Sequence, residues 1–325
     1  MRGASGSKPG MAYPERPFPQ ARPLTGARDP NNQNLTGTSK MSELDPPLGP
    51  TVAALITDSR RITPLKSEEV RHLSLRVADP AFQFVEGQSI GVVVPGPHPF
   101  GNPYHVRRYS IANARPRPQD EAVDLEILVR RCFYIDEISG ERFPGIASNF
   151  LCDAKPGDTI TLTGPFRSPF QMPLDRSSNL IMIGTGTGIA PFRAFAQLIY
   201  ERRGGWDGQV RLFYGGRTGL DLAYANDETT DLADYYDQAS FKAFKSLAAN
   251  SLMRSSDALA LGLQENIGEV WSLIQESNTY VFLAGLGKIA QVFDKVMSER
   301  AGAPEAWQGL KQRMIREKRW SELIY

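Results

Sequence analysis

Apolar positions along the chain fall into two regimes. Between Thr51 and Thr163 they come in short runs broken by Gly, Pro and Asp. The cleanest alternation is Asp124-Leu125-Glu126-Ile127-Leu128, where one face is polar and the other apolar. Such runs predict strands over Thr51–Ile56, Val70–Val77, Ser89–Val94, Val106–Ile111, Val123–Arg131 and Thr159–Thr163. Strands this short, joined by turn residues and following one another so closely, predict an antiparallel β-barrel. One helix is expected to interrupt the set, over Ser148–Asp153, with Ser148 as its N-cap. Free N–H groups at such a helix start form a ready anion site.

After Pro173 the pattern changes to buried strands followed by helical stretches. Asn179–Ile183 is an apolar run that ends in Gly184-Thr185-Gly186-Thr187-Gly188-Ile189-Ala190-Pro191, and a helix is predicted from Phe192 to Arg202. Val210–Tyr214 reads as a strand ending in Gly215-Gly216-Arg217-Thr218. Leu232–Leu247 reads as mostly helix and Leu263–Gln275 as a further helix. Thr279–Leu283 is a strand ending in Ala284-Gly285-Leu286-Gly287, ahead of a helix over Ile289–Arg300. Strands that alternate with helices predict a Rossmann-like parallel sheet, with ligands at the carboxyl ends of its strands, where all these glycine turns fall.

The predicted organisation is therefore a barrel domain over 49–173 and an α/β domain over 174–325. Ahead of them, residues 1–48 are rich in Pro and Gly and lack apolar periodicity. Such a composition buries too little surface to offset the entropy of ordering, and predicts a disordered, mildly basic arm. The net charge of +1 over 325 residues argues against nucleic acid as a partner, so any electrostatic docking surface must be a local patch. Two cysteines, Cys132 and Cys152, are too few for a disulfide framework or a cysteine-ligated iron–sulfur cluster. The histidines His72, His98 and His105 lack metal-ligand spacing, so no metal site is expected. With neither a long apolar run nor a secretory signal, the chain is expected to be cytoplasmic, without membrane insertion.

Arg107-Arg108-Tyr109-Ser110 concentrates candidate chemistry at a strand end. A guanidinium offers a planar fork to a diphosphate, a tyrosine offers a face to a fused ring, and a hydroxyl can bond a ring nitrogen. Together these describe a flavin nucleotide from the protein side; the alternative is an ordinary strand with a buried aromatic and exposed arginines. The glycine-rich turn at 184–188 lets backbone amides approach a pyrophosphate, although it lacks the G-x-G-x-x-G spacing; the alternative is a plain tight turn.

Taken in order, these motifs resemble the plant-type ferredoxin-NADP reductases. The likeness runs from Thr51 to Tyr325, through Glu86-Gly87-Gln88-Ser89-Ile90-Gly91, Arg107 to Ala112, Ser148 to Asp153 with Lys155-Pro156-Gly157, Gly164-Pro165, Gly184 to Phe192, and a carboxyl-terminal tyrosine. The resemblance implies an FAD-dependent flavoprotein that passes electrons between NADP(H) or NAD(H) and a small iron–sulfur or flavin carrier. Arg107 is then the partner of the FAD pyrophosphate, Tyr109 the ring on one isoalloxazine face, and Ser110 the hydroxyl near flavin N5. Tyr134 stacks the adenine, and Ile146, Ala147 and Ser148 offer amides to the pyrophosphate. Tyr325 covers the other flavin face. Gly184, Thr185, Gly186, Thr187 and Gly188 line the nicotinamide nucleotide, with Gly216, Arg217, Ala284, Gly285 and Leu286 at neighbouring strand ends and Arg130 as a phosphate partner. The implied protein partner is an acidic redox protein of ferredoxin or flavodoxin type.

Three departures bear on that implied mechanism. Ala284 stands where the family has a cysteine beside the nicotinamide. Leu323 stands where it has a glutamate two residues before the terminal tyrosine, leaving Glu322 one step away as the candidate catalytic carboxylate. The family reads the 2′-phosphate with a Ser-Arg pair and a Lys-x-Tyr; here the Lys-x-Tyr is absent, and only Arg254 or Arg217 could supply charge. The loop at Gly101–Val106 also lacks the lysines that attract an acidic ferredoxin. Two further readings follow: the reductase component of an oxygenase, or an FAD-retaining scaffold with weakened nicotinamide chemistry.

Overall fold

The structure is a computed structural model that describes residues 48–98, 101–117, 121–226, 229–250 and 252–325. The expected amino-terminal arm therefore lies, but for its last residue, outside the described residues.

All six expected barrel strands form: β1 (Thr51–Arg61), β2 (Val70–Val77), β3 (Ser89–Pro95), β4 (Tyr104–Ser110), β5 (Val123–Arg130) and β8 (Thr159–Phe166). They make one antiparallel sheet in the order β4-β3-β8-β1-β2-β5. Its inner face is the period-two apolar set, including Ile56, Leu73, Leu75, Ile90, Val92, Leu125 and Ile127, all fully buried. The edge strands meet at a single bridge, Ile111 opposite Ile127, so the sheet curls into a barrel-like shape without a continuous closing ladder. Between β5 and β8 lie a small two-stranded ribbon, β6 (Phe133–Ile135) and β7 (Arg142–Pro144), and the helix α1 (Ile146–Asp153).

The second sheet is parallel, in the order β11-β10-β9-β12-β13, from β9 (Asn179–Thr185), β10 (Val210–Gly216), β11 (Phe241–Leu247), β12 (Thr279–Gly285) and β13 (Trp320–Ile324). The central strand β9 is buried at every position, as a strand covered on both faces must be. A 3-10 turn (Gly186–Ile189), the helix α2 (Ala190–Ala196) and a π-helical turn (Gln197–Arg202) follow it on one face. The helices α3 (Ser255–Glu265), α4 (Ile267–Gln275), α5 (Lys288–Ala301) and α6 (Pro304–Arg316) complete the domain.

Three sequence expectations are corrected here. Leu232–Leu247 is not mostly helix: only Ala233–Tyr235 forms a 3-10 turn, and Phe241–Leu247 is the strand β11 on the edge of the sheet. Leu232, Tyr235 and Tyr236 have helical spacing, but pairing of Phe241–Leu247 with Val210–Gly216 outweighs it. Leu263–Gln275 is two helices, because Asn266 leaves the helical region and spends its side-chain N–H on the Gly262 carbonyl at 2.8 Å. Helix α1 is capped by Gly145 rather than Ser148, which lies inside its first turn.

Candidate cofactor and nucleotide site

Strand β4 is an edge strand, paired with β3 so that Ser110 faces Ser89 and Tyr109 faces Ile90. Arg107 and Tyr109 are two residues apart and so share one face of the strand. Arg107 is exposed and engages no carboxylate among the described residues. Arg108 instead lies over the Phe166 ring at 3.8 Å. Burial pushes the Tyr109 hydroxyl well above the ordinary phenol range, and the nearby positive charge of Arg107 only partly opposes it. Tyr109 is thus a neutral ring, half-buried against the barrel core with one side toward Arg107.

The start of α1 lies beside this strand. Its first internal bond runs from the Asn149 N–H to the Gly145 carbonyl at 3.1 Å, so the amides of Ile146, Ala147 and Ser148 precede the helical ladder. The Ser148 hydroxyl is a brace, accepting from the Cys132 N–H at 3.1 Å and donating to the Gly145 carbonyl at 3.3 Å. It ties the segment after β5 to the helix and leaves the three amides outside the helical ladder. Tyr134 projects from the exposed ribbon and stacks on Phe143, with ring centres 5.2 Å apart and planes 18° apart.

The glycine turns converge at the carboxyl edge of the parallel sheet, around a cleft of about 490 Å³. Gly186 has φ +55°, a conformation that glycine adopts without strain, and its carbonyl accepts from the Tyr214 hydroxyl at 3.0 Å. A Cβ on Gly188 would fall 2.1 Å from the Ala284 carbonyl oxygen, so this glycine permits the turn to pack against β12. Thr185, Gly186 and Thr187 line the cleft, together with Gly216, Arg217, Leu286 and Tyr325. The Tyr325 hydroxyl stands 3.5 Å from Thr187 Oγ1, and its main-chain N–H donates to Gly285 at 3.2 Å. Tyr325 is half-exposed, and burial raises its pKa against the opposing effects of Thr187 and Arg130. Arg130 enters the same cleft from the end of β5, so barrel and parallel sheet both contribute to it.

Other expected site residues lie elsewhere. Ala284 is fully buried in the core, and Gly184, Gly188 and Gly285 shape the turns without lining the cleft. Glu322 is not brought to the cluster: it accepts from Trp320 Nε1 at 2.6 Å and pairs with Lys311 at 3.2 Å. Leu323 packs on the core cluster that contains Ala284, while Trp320 joins the cluster under α5 and α6. Arg254, Ser255 and Ser256 line the cleft at the start of α3, so both Arg254 and Arg217 are present as candidate phosphate partners. Thr63, Glu68 and Lys288 also line it. Sequence reasoning missed these three, since none lies in a motif.

A buried cation holds the two halves in register. Arg193 on α2 is 6% exposed and donates to the Ala112 carbonyl at 2.9 Å and to Glu126 of β5 at 2.5 Å. It also donates to Asp231 at 2.9 and 2.7 Å. One turn further on, the Gln197 side-chain Oε1 accepts from the Ala114 N–H at 2.9 Å. The helix that leaves the glycine turn is thereby tied to the segment that leaves Tyr109-Ser110.

Residues 182–295 match the family model described as the oxidoreductase NAD-binding domain. The chain is 31% identical over 294 residues to the cyanelle ferredoxin–NADP reductase of Cyanophora paradoxa, covering 86% of this chain and 77% of that one. It is 28% identical to the ferredoxin–NADP reductase of Thermosynechococcus vestitus, covering 93% and 81%. Among solved structures, the ferredoxin-NADP+ reductase from Plasmodium falciparum superposes with a TM-score of 0.65 at 20% identity, over 85% of this chain and 96% of that one, which shows the shared two-domain fold.

Proposed function

The chain belongs to the ferredoxin–NADP reductase family, and we infer from this premise that it carries electrons between NADP(H) and a small ferredoxin-type protein, with FAD as its resident cofactor. On this reading residues 49–173 hold the flavin and residues 174–325 the nicotinamide nucleotide. The observation that carries it is the convergence of Tyr325, the glycine turn at Thr185–Thr187 and Arg130 on one cleft at the seam between barrel and sheet.

The residues present fit FAD. Arg107 is exposed without a competing carboxylate, which suits it to a diphosphate. The α1 amides of 146–148 supply positive potential beside β4. Tyr109 stays neutral because burial disfavours its phenolate, so it offers an aromatic face rather than an anion. Ser110 supplies a hydroxyl next to it, and Tyr134 an exposed ring for a base. When bound, FAD supplies the exchange between two-electron hydride chemistry and one-electron transfer. The protein's own work is to orient and shield. Tyr325 closes the cleft over Thr187 and must yield its place to a nicotinamide ring, and Gly186 and Arg130 receive phosphate. Since Glu322 is engaged with Trp320 and Lys311, no proton step is assigned to it.

Exposed Arg108, next to the arginine assigned to the diphosphate, favours an acidic carrier, of ferredoxin or flavodoxin type, that docks by charge. The test is anaerobic reduction of the purified flavin-loaded protein with NADPH and, separately, NADH, followed by addition of a ferredoxin at low and high salt. Bleaching of the flavin spectrum by NADPH and salt-sensitive transfer to ferredoxin are expected. A chain that purifies without flavin and cannot be loaded with FAD would overturn the reading.

A further inference from the structure

The cleft holds a carboxylate among its cations. Glu68 sits in the loop between β1 and β2, with one carboxylate oxygen 3.2 Å from Arg130 and the other 3.2 Å from Arg217. Arg130 comes from the barrel and Arg217 follows β10 of the parallel sheet, so a single side chain bridges the seam at the mouth of the nucleotide cleft.

The loop that presents it is braced. The Arg61 guanidinium donates to the carbonyls of Thr63, Pro64 and Ser67 at 2.7 to 2.8 Å. Thr63 Oγ1 donates to the carbonyl of Glu68 itself at 2.7 Å and accepts from the Val70 N–H at 2.9 Å. Glu69, the next residue, is clamped by Arg71 at 2.6 Å and Arg131 at 2.7 Å. Across the seam, Asn226 Nδ2 donates to the Ile62 carbonyl at 3.0 Å. With its backbone fixed on both sides, Glu68 is held over the two arginines.

We propose that Glu68 is an internal counter-anion for the nucleotide cleft, neutralising Arg130 and Arg217 in the free protein and competing with the phosphate groups of an incoming dinucleotide for them. A carboxylate and a phosphate make the same charge-assisted bonds to a guanidinium, so both cannot be satisfied by the same donors at once. Binding a nucleotide therefore requires Glu68 to release at least one arginine, and its negative charge then stands beside the phosphate. Glu68 thereby penalises phosphate binding in the cleft, and its displacement removes one of the ties across the seam between the two sheets. The inference rests on the nucleotide reading given above.

The test compares the full-length flavin-loaded wild type with Glu68→Gln, which keeps size and hydrogen bonding but removes the charge, and with Glu68→Asp, which keeps the charge. NADP+ and ADP are titrated by calorimetry at low ionic strength and again near 0.5 M salt, where the screening length is down to a few ångströms. Glu68→Gln is expected to bind both probes about twofold to fivefold more tightly than wild type at low salt, the range that a partly exposed ion pair supplies. The gain should shrink to under about twofold at high salt, and Glu68→Asp should stay near wild type. In steady state, KM for NADPH should fall in Glu68→Gln without a rise in kcat, a split that a merely structural residue would not produce. If wild type binds NADP+ and Glu68→Gln binds it equally or more weakly, the counter-anion idea is wrong while the nucleotide reading stands. If neither chain binds NADP+ or ADP, the nucleotide reading falls and this inference falls with it.

Discussion

Replacing Arg193 with methionine isolates the contribution of the buried cation between the two sheets. Methionine keeps much of the aliphatic volume and removes every donor. The loss leaves Glu126 and Asp231 without their main partner, and the Ala112 carbonyl without its side-chain donor. Breaking a buried pair by removing one member costs about 3–5 kcal/mol, because the charge left behind is uncompensated. Here the two carboxylates are 26% and 32% exposed, so water reaches them and the lower end applies, about 3 kcal/mol. For a domain of this size that corresponds to a fall in Tm of roughly 6 to 10 °C. Thermal and urea unfolding of the flavin-loaded protein, followed by circular dichroism, measure it. The double variant Arg193→Met/Asp231→Asn should recover about 1 kcal/mol, since it removes one of the stranded charges. A single-variant loss below about 1 kcal/mol, or a double variant no more stable than the single, would refute the assignment of a stabilising role to this cluster.

Other expectations follow from individual residues. Burial lowers the His72 pKa below its ordinary 6.5, against the opposing pull of Glu126, and Nδ1 lies 2.7 Å from the Tyr224 hydroxyl. Below pH 6.5 the unfolded chain takes up a proton that the folded one refuses, so this contribution to stability is complete above 6.5 and is lost as pH falls toward the folded pKa. A plot of Tm against pH should slope downward on the acid side of 6.5 and flatten in His72→Gln; an unchanged slope would show that another group titrates there. A second, more acidic loss belongs to Glu86, held below its ordinary 4.5 by Arg115 in spite of burial, and should disappear in Glu86→Gln. Gly186→Ala and Gly188→Ala should separate conformation from space. The first meets no atom within 4 Å but pays for positive φ, about 1 kcal/mol, whereas the second drives a methyl into the Ala284 carbonyl and should cost at least 1–3 kcal/mol by chemical denaturation. Tyr109→Ala should weaken flavin affinity by up to about tenfold, the roughly 0.5–1.5 kcal/mol of a stacked ring, measured by titrating FAD into the flavin-free protein, and unchanged affinity would remove Tyr109 from the cofactor site.

The barrel was legible because its strands alternate: Asp124 to Leu128 declares both faces, and pairing with β2 honours that alternation residue by residue. The parallel sheet was legible where strands are buried on both faces, as β9 and β12 are. It failed at β11, an edge strand whose burial is irregular and whose flanking Leu232, Tyr235 and Tyr236 mimic a helix. The Ser148 expectation failed because a serine three residues after a glycine can also brace the turn from within. At the candidate site, Arg107, Tyr109, the glycine turn and Tyr325 lie in or beside compact motifs, which is what singles them out in the sequence. Glu68 was not, because its partners are 62 and 149 residues away and no local pattern announces them. Glu322 looked suitable by proximity in sequence, yet strand parity sends it toward Trp320 and Lys311.

The helix that runs from the glycine turn through Arg193 and Gln197 to the backbone of Ala112 and Ala114 has a thermodynamic consequence. A group that orders the strand end at Tyr109-Ser110 also orders Ala112 and Ala114, and through them α2 and the turn at its head. Coupling of this kind is reciprocal: whatever one occupant does to the affinity of the other is returned by the same factor. Any coupling carried along this path would show itself as a flavin affinity that changes when the nucleotide is bound.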